Sequence, residues 1–172
     1  MQQVALTILF CCTTLTNSLW SQNGPANNQT EYEKLYQERI TKDRLYGVYI
    51  PKNLDDVMLE LDKMINLESQ TKIKGIPTDS VCTFLHNRLG QWMITNWGFY
   101  EGSRLSHYLR SAGITYPDDM ADFLLLAYHK HLNGQPIPIK DLSVAFREKR
   151  RKEREQELKN GEVIHEETRK KN

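Results

Sequence analysis

Residues 78–98, TDSVCTFLHNRLGQWMITNWG, decide how the chain folds. Val81, Phe84, Leu85, Leu89, Trp92, Met93 and Trp97 recur at steps of mostly three and four residues. That is the period of a helix with one face against a core. Thr78 or Asp79 caps the start and Gly98 supplies the stop. The spacing predicts a helix from Thr78 to Trp97. Its expected partner opens at Pro117-Asp118-Asp119, with proline near the first position and acids in the first turn. There Met120, Phe123, Leu124, Ala127, Tyr128 and His131 form one stripe, which Leu125, Leu126 and Leu132 widen. These two helices are expected to pack together, burying Phe84, Leu89, Trp92, Trp97, Phe123, Leu124 and Tyr128.

Weaker helices flank this pair. Thr30-Glu31-Tyr32-Glu33 fits a capping box, and the helix it opens is predicted to run to about Leu45, with Gly47 as its stop. Val48 to Pro51 reads as extended, because Pro51 biases Ile50 away from helix. Asn53 then caps a helix whose apolar face carries Leu54, Val57, Met58, Leu61 and Ile65. Asp55 and Asp56 fall in its first turn, where the helix dipole favours negative charge. Glu68 to Lys74 reads as a short helix. Gly102 and Ser103 open another, with Leu105, Tyr108 and Leu109 on one face and Gly113 past its end. Asp141 caps the last, in which Leu142, Ala145 and Phe146 still reach the core. Beyond them, Arg147 to Lys159 holds seven basic and four acidic residues with a single Leu. That composition predicts a solvated helix projecting from the domain. The expected architecture is all-α, one compact domain of five to six helices over residues 30–147, with a charged helix and disordered tail over 148–172.

Composition agrees. The 172 residues are 39% hydrophobic and 26% charged, with a formal net charge of +1. This suits one globular domain and gives no global field for nucleic acid. The first 21 residues hold no Asp, Glu, Lys or Arg, and Val4 to Leu15 is an apolar run too short to span a bilayer. Residues 1–21 read as a signal peptide cleaved after Ser21, and residues 22–29 as a flexible leader. The expected location is periplasmic or extracellular, with no transmembrane segment in the mature chain. Cys11 and Cys12 leave with the leader, so Cys82 has no partner for an intrachain disulfide.

Tyr49-Ile50-Pro51-Lys52-Asn53-Leu54-Asp55-Asp56, Leu89-Gly90-Gln91-Trp92, Asn96-Trp97-Gly98-Phe99-Tyr100 with Gly102-Ser103-Arg104-Leu105, Pro117-Asp118-Asp119-Met120 and Tyr128 to Gly134 occur in that order. In these segments the chain resembles a family of small bacterial proteins, a domain of unknown function found largely in Bacteroidetes. The resemblance spans Tyr46 to Gly134 and brings no activity with it. Family members often carry an Arg just before the Asn-Trp-Gly segment, where this chain has Thr95.

The most unusual stretch runs from Asn96 to Arg104. Two glycines and three aromatics between helices fit a tight turn pinned into the core. They also fit a ligand pocket built from Asn96, Trp97, Gly102, Ser103, Arg104 and His107, with backbone N–H groups facing an anion. No phosphate-loop spacing accompanies them. Ser103 and His107, with Asp118 or Asp119 nearby, make the hydrolase alternative, although no nucleophile elbow is present. Cys82 and His86 share the same four-residue spacing, but Cys82 borders the apolar stripe as a buried thiol would. His129 and His131, two apart, turn about 200° from each other on a helix and do not suit one metal. No cofactor motif occurs. The leading expectation is a non-enzymatic binding or protein-interaction module for a protein or small ligand, with nucleic acid excluded by export.

Overall fold

The computed structural model describes residues 28–161. The expected signal peptide at 1–21, residues 22–27 of the expected leader and residues 162–172 lie outside the described residues. Helix α1 (Gln29–Arg39) is capped by Asn28, whose side chain accepts from the Glu31 N–H, rather than by Thr30. It buries none of its residues. It also stops well short of Leu45. Arg44–Leu45 (β1) pairs antiparallel with Val48–Tyr49 (β2) instead. Tyr46 and Gly47, at φ 51° and 83°, form the two-residue turn between them. Both positive angles match the turn type whose twist suits a hairpin. The Gly47 signal was therefore real but ended a strand, not a helix.

Helix α2 (Leu54–Met64) follows its sequence signals: Asn53 accepts from the Asp56 N–H, and Leu54, Val57, Met58 and Leu61 are buried. Helix α3 (Leu67–Lys74) is capped by Asn66 and buries Ile73. A single 3-10 turn over Thr78–Ser80 leads into α4, residues 81–96. This helix is not regular. Val81–Leu85 and Gln91–Asn96 are α-helical, but His86–Gly90 between them is a π turn. A wide turn inserts one residue, about 100° of helix phase. Phe84, expected in the core, is 66% exposed as a result, while Val81, Met93, Ile94 and Trp97 are buried. Leu89 and Trp92 are half-buried against the core.

The π turn coincides with tertiary contacts. Gly90 is buried close to Leu125, and a Cβ there would lie 3.5 Å from the leucine Cδ1. His86 donates through Nδ1 to the Asp122 carboxylate at 2.7 Å. Both partners sit on α6 (Pro117–Leu132), the central helix of the domain. It begins with proline and has no side-chain cap, and it buries Phe123, Leu124 and Tyr128 as expected. It packs on α2, α3, α4, on α5 (Arg104–Ser111) and on α7 (Ile139–Asn160). Its last turn departs from expectation. His131, assigned to the apolar stripe, keeps 38% of its side chain exposed and pairs with Asp62 at 2.9 Å. His129 is the buried one, donating through Nε2 to the Ile76 carbonyl. The loop after α3 covers that side of the helix end and leaves the other to water.

Helix α7 starts at Ile139, two residues before the expected cap Asp141. Phe146 packs edge-on against Phe123, with ring centroids 6.4 Å apart. One turn further, Arg150 forms two hydrogen bonds with Asp119, at 2.7 and 3.0 Å. From Arg154 to the end of the helix the side chains are exposed. The described residues are all-α in class, with seven helices rather than five or six and a two-strand hairpin.

Candidate functional site

The Asn96–Arg104 turn is drawn into the fold at nearly every residue. Asn96 donates its side-chain amide to the Trp92 carbonyl of its own helix at 2.8 Å. Trp97 is fully buried, edge-on to Trp92 at 5.6 Å and tilted against Phe99 at 6.4 Å. Its indole N–H is buried without a hydrogen-bond partner. Gly102, at φ 96°, lies against the face of Tyr36, and a Cβ there would collide with that ring. This is a close approach that only glycine permits. Arg39 donates to the Glu101 carbonyl at 2.7 Å. Helix α1, which buries nothing, is therefore held to the body by this turn.

Ser103 and Ser106 cap α5 reciprocally. Ser103 Oγ accepts from the Ser106 N–H at 3.2 Å, and Ser106 Oγ accepts from the Ser103 N–H at 2.8 Å. Both residues are fully buried. Ser103 and His107 are joined only through the backbone, His107 N–H to the Ser103 carbonyl at 2.9 Å, with no side-chain hydrogen bond between them among the described residues; His107 Nδ1 lies 3.0 Å from the Tyr36 hydroxyl instead. Arg104 turns back to the hairpin, donating through Nε to the Ile50 carbonyl at 2.6 Å and lying over the Tyr49 ring at 5.1 Å. The Tyr49 hydroxyl donates to Asp56 at 2.8 Å, and the Lys52 N–H reaches the same carboxylate oxygen at 3.0 Å. Desolvation alone would push the Asp56 pKa up. The Lys52 and Tyr49 hydrogen bonds, with the charges of Arg104 and Lys52, outweigh it and hold the carboxyl below its ordinary value. The same hydrogen bond to Asp56 raises the pKa of Tyr49. Asp56 thus joins the hairpin to α2 and α5, beyond its place in a helix first turn.

Cys82 and His86 do not form an activated pair. Burial pushes the Cys82 thiol up to about 12, with the Asp122 charge adding to the effect. Its Sγ faces the Asp122 carbonyl at 3.8 Å. A thiol so protonated is a poor nucleophile. Asp118, the other hydrolase candidate, faces His86 Nε2 at 3.5 Å, and Asp119 is bound to Arg150. Neither forms a hydrogen bond or ion pair with Ser103 or His107. Among the described residues, no group of three or more His, Cys, Asp or Glu is placed to hold a metal ion. None of the described helices is long and apolar enough to cross a membrane.

A pocket of about 240 Å³ opens at the other end of α5, between the loop at 113–116 and α7. The turn and this pocket are separated by the length of α5, roughly 12 Å. Ile114 and Phe146, both buried, face it together with Tyr116 and Asp119. Arg147, Arg150, Arg151 and Arg154 line its other side. Their spacing of three, four and seven puts them on one stripe of α7. In the sequence these arginines read as part of a solvated face. The periodicity was visible there, but the loop they face was not.

Residues 50–132 match the model of a domain of unknown function, DUF6794. The chain is similar to that family from the end of β2 through α6, which covers the Asn96–Arg104 turn and the 113–116 loop. Helix α1 and the arginine stripe of α7 fall outside the match. No curated protein and no solved structure matches the chain.

Proposed function

We propose that this chain is an exported, non-catalytic binding module that holds its ligand in the pocket between the 113–116 loop and α7. One observation carries the reading. Arg147 and Arg154 line a concave, partly apolar site, yet neither has a hydrogen bond or ion pair among the described residues. Convergent charge over an apolar floor is the usual make-up of a small-ligand site. The Asn96–Arg104 turn, by contrast, uses its polar groups internally: Ser103 on a helix cap, Arg104 on Ile50, Asn96 on Trp92. That favours binding over the hydrolase alternative, which needs Ser103 within reach of His107. The uncharged leader supports a periplasmic or extracellular place of action.

The test is affinity capture from native envelope extract, using the full chain, an Arg147→Gln/Arg154→Gln variant and a His107→Ala variant. A component retained by the wild type and by the His107 variant, but lost with the arginines, supports the reading. Retention that survives the arginine changes and fails with His107→Ala returns the site to the turn.

A further inference from the structure

We infer that the ligand of this pocket is a small dianion on an apolar stem, of the phosphate monoester class. The inference rests on the pocket being the binding site and adds the chemistry of what fits it. Four guanidinium groups line the wall, but two are already committed. Arg150 is held by Asp119 through two hydrogen bonds and lies over the Tyr116 ring at 4.5 Å. Arg151 pairs with Glu148 at 2.6 Å and Glu155 at 3.7 Å. Arg147 and Arg154, both exposed, remain without an acidic partner, so an anion in the pocket would meet two free guanidinium groups. A phosphate monoester carries about −1.5 to −2 at neutral pH on three acceptor oxygens. Guanidinium groups bind such oxygens in parallel pairs.

One of these arginines lies against the loop at Gly113. This glycine sits at φ 90°, and a Cβ there would meet Arg147 Cδ and Nε at 3.4 Å and Cζ at 3.5 Å. The Arg147 side chain thus packs over the loop backbone at the wall of the pocket. Below it, Ile114, Phe146 and the Tyr116 ring give an apolar floor for a stem. Size sets the limit. About 240 Å³ is below the usual range for drug-sized ligands. An apolar cavity of about 150 Å³ already holds benzene. One ring or short chain and one phosphate therefore fit, and a nucleotide does not.

Calorimetric titration of the full chain with phenyl phosphate, benzoate and inorganic phosphate tests this. Phenyl phosphate is expected to bind at least about tenfold more tightly than benzoate, which lacks the second charge, or inorganic phosphate, which lacks the stem. Arg147→Gln and Arg154→Gln should each weaken phenyl phosphate by about tenfold, and added salt should weaken it further. Lys72→Gln, on the exposed face of α3, serves as the charge control and should change nothing. Circular dichroism confirms that each variant is folded. Equal affinity for benzoate and phenyl phosphate, or wild-type affinity in both arginine variants, overturns the inference. If phenyl phosphate fails to bind while envelope capture still depends on Arg147 and Arg154, the ligand class is wrong and the pocket stands. If capture is also indifferent to the arginines, both fall.

Discussion

Replacing Trp97 with Ala removes the largest fully buried side chain of the core. A buried Trp covers about 150–250 Å². At roughly 25 cal/mol per Å² this corresponds to about 4–6 kcal/mol of transfer free energy, an upper bound because unfolded chains already hide some surface. Large-to-small changes of this kind cost about 3–5 kcal/mol. One term acts in the other direction. The Trp97 indole N–H is buried without a partner, a penalty of about 1–3 kcal/mol that Ala relieves. The net loss should fall near the low end, about 3 kcal/mol, and lower the melting temperature by about 10 °C. Trp97→Phe separates the two terms. It keeps a ring against Trp92 and Phe99 while removing the unpaired donor, so it should cost less than half as much, about 1 kcal/mol. Thermal and urea unfolding followed by far-ultraviolet circular dichroism reads both values. A melting point for Trp97→Ala within about 2 °C of wild type, or a Phe variant as unstable as the Ala one, refutes the packing described for this residue.

Three further perturbations probe the surrounding structure. Gly102→Ala places a methyl group into the Tyr36 ring at a left-handed backbone position. It should cost about 1–3 kcal/mol and speed amide exchange selectively across α1; unchanged exchange at residues 29–39 contradicts the anchoring role of the turn. Asp56→Asn should lower stability by about 1–2 kcal/mol near neutral pH. The folded Asp56 pKa lies below its ordinary value, so its contribution is present above pH 4 or so and fades as pH falls through the folded pKa. The gap between the two proteins should therefore close under acid; a gap that persists at pH 2 argues against the Tyr49–Lys52–Arg104 network. Cys82, with its thiol pushed up to about 12, should react with iodoacetamide at pH 8 more slowly than in the unfolded chain, by on the order of a thousandfold. Mass spectrometry of the Cys82 peptide distinguishes it from Cys11 and Cys12, and rapid labelling of the folded protein sinks the buried-thiol description.

Local signals carried much of the fold. Asn53, Ser103 and Pro117 each mark a helix start by chemistry confined to a few residues, and the structure uses all three. Where the reading failed, the cause was long-range. The π turn in α4 sits where Gly90 meets Leu125 and His86 meets Asp122, more than thirty residues away. A count of helical periods has no access to such contacts, so Phe84 was assigned to the wrong side. The β1–β2 hairpin was missed because two-residue strands have no period to detect. The turn at Asn96–Arg104 stood out in sequence as a unit, but what it touches did not: Tyr36, Arg39 and Ile50 lie 54 to 66 residues from Gly102, Glu101 and Arg104. The arginine stripe had its spacing in plain view. Its meaning depends on a loop that folds against it from thirty residues upstream.

The proposed binding place is the pocket between the 113–116 loop and α7. Amide resonances of the isotope-labelled chain, followed during titration with phenyl phosphate, test that most directly. Gly113, Ile114, Thr115 and residues 147–154 should shift together and saturate, while Gly98, Gly102 and Ser103 stay fixed. Saturable shifts centred on residues 96–107, with the loop and α7 unmoved, would contradict it and place the site in the glycine- and aromatic-rich turn.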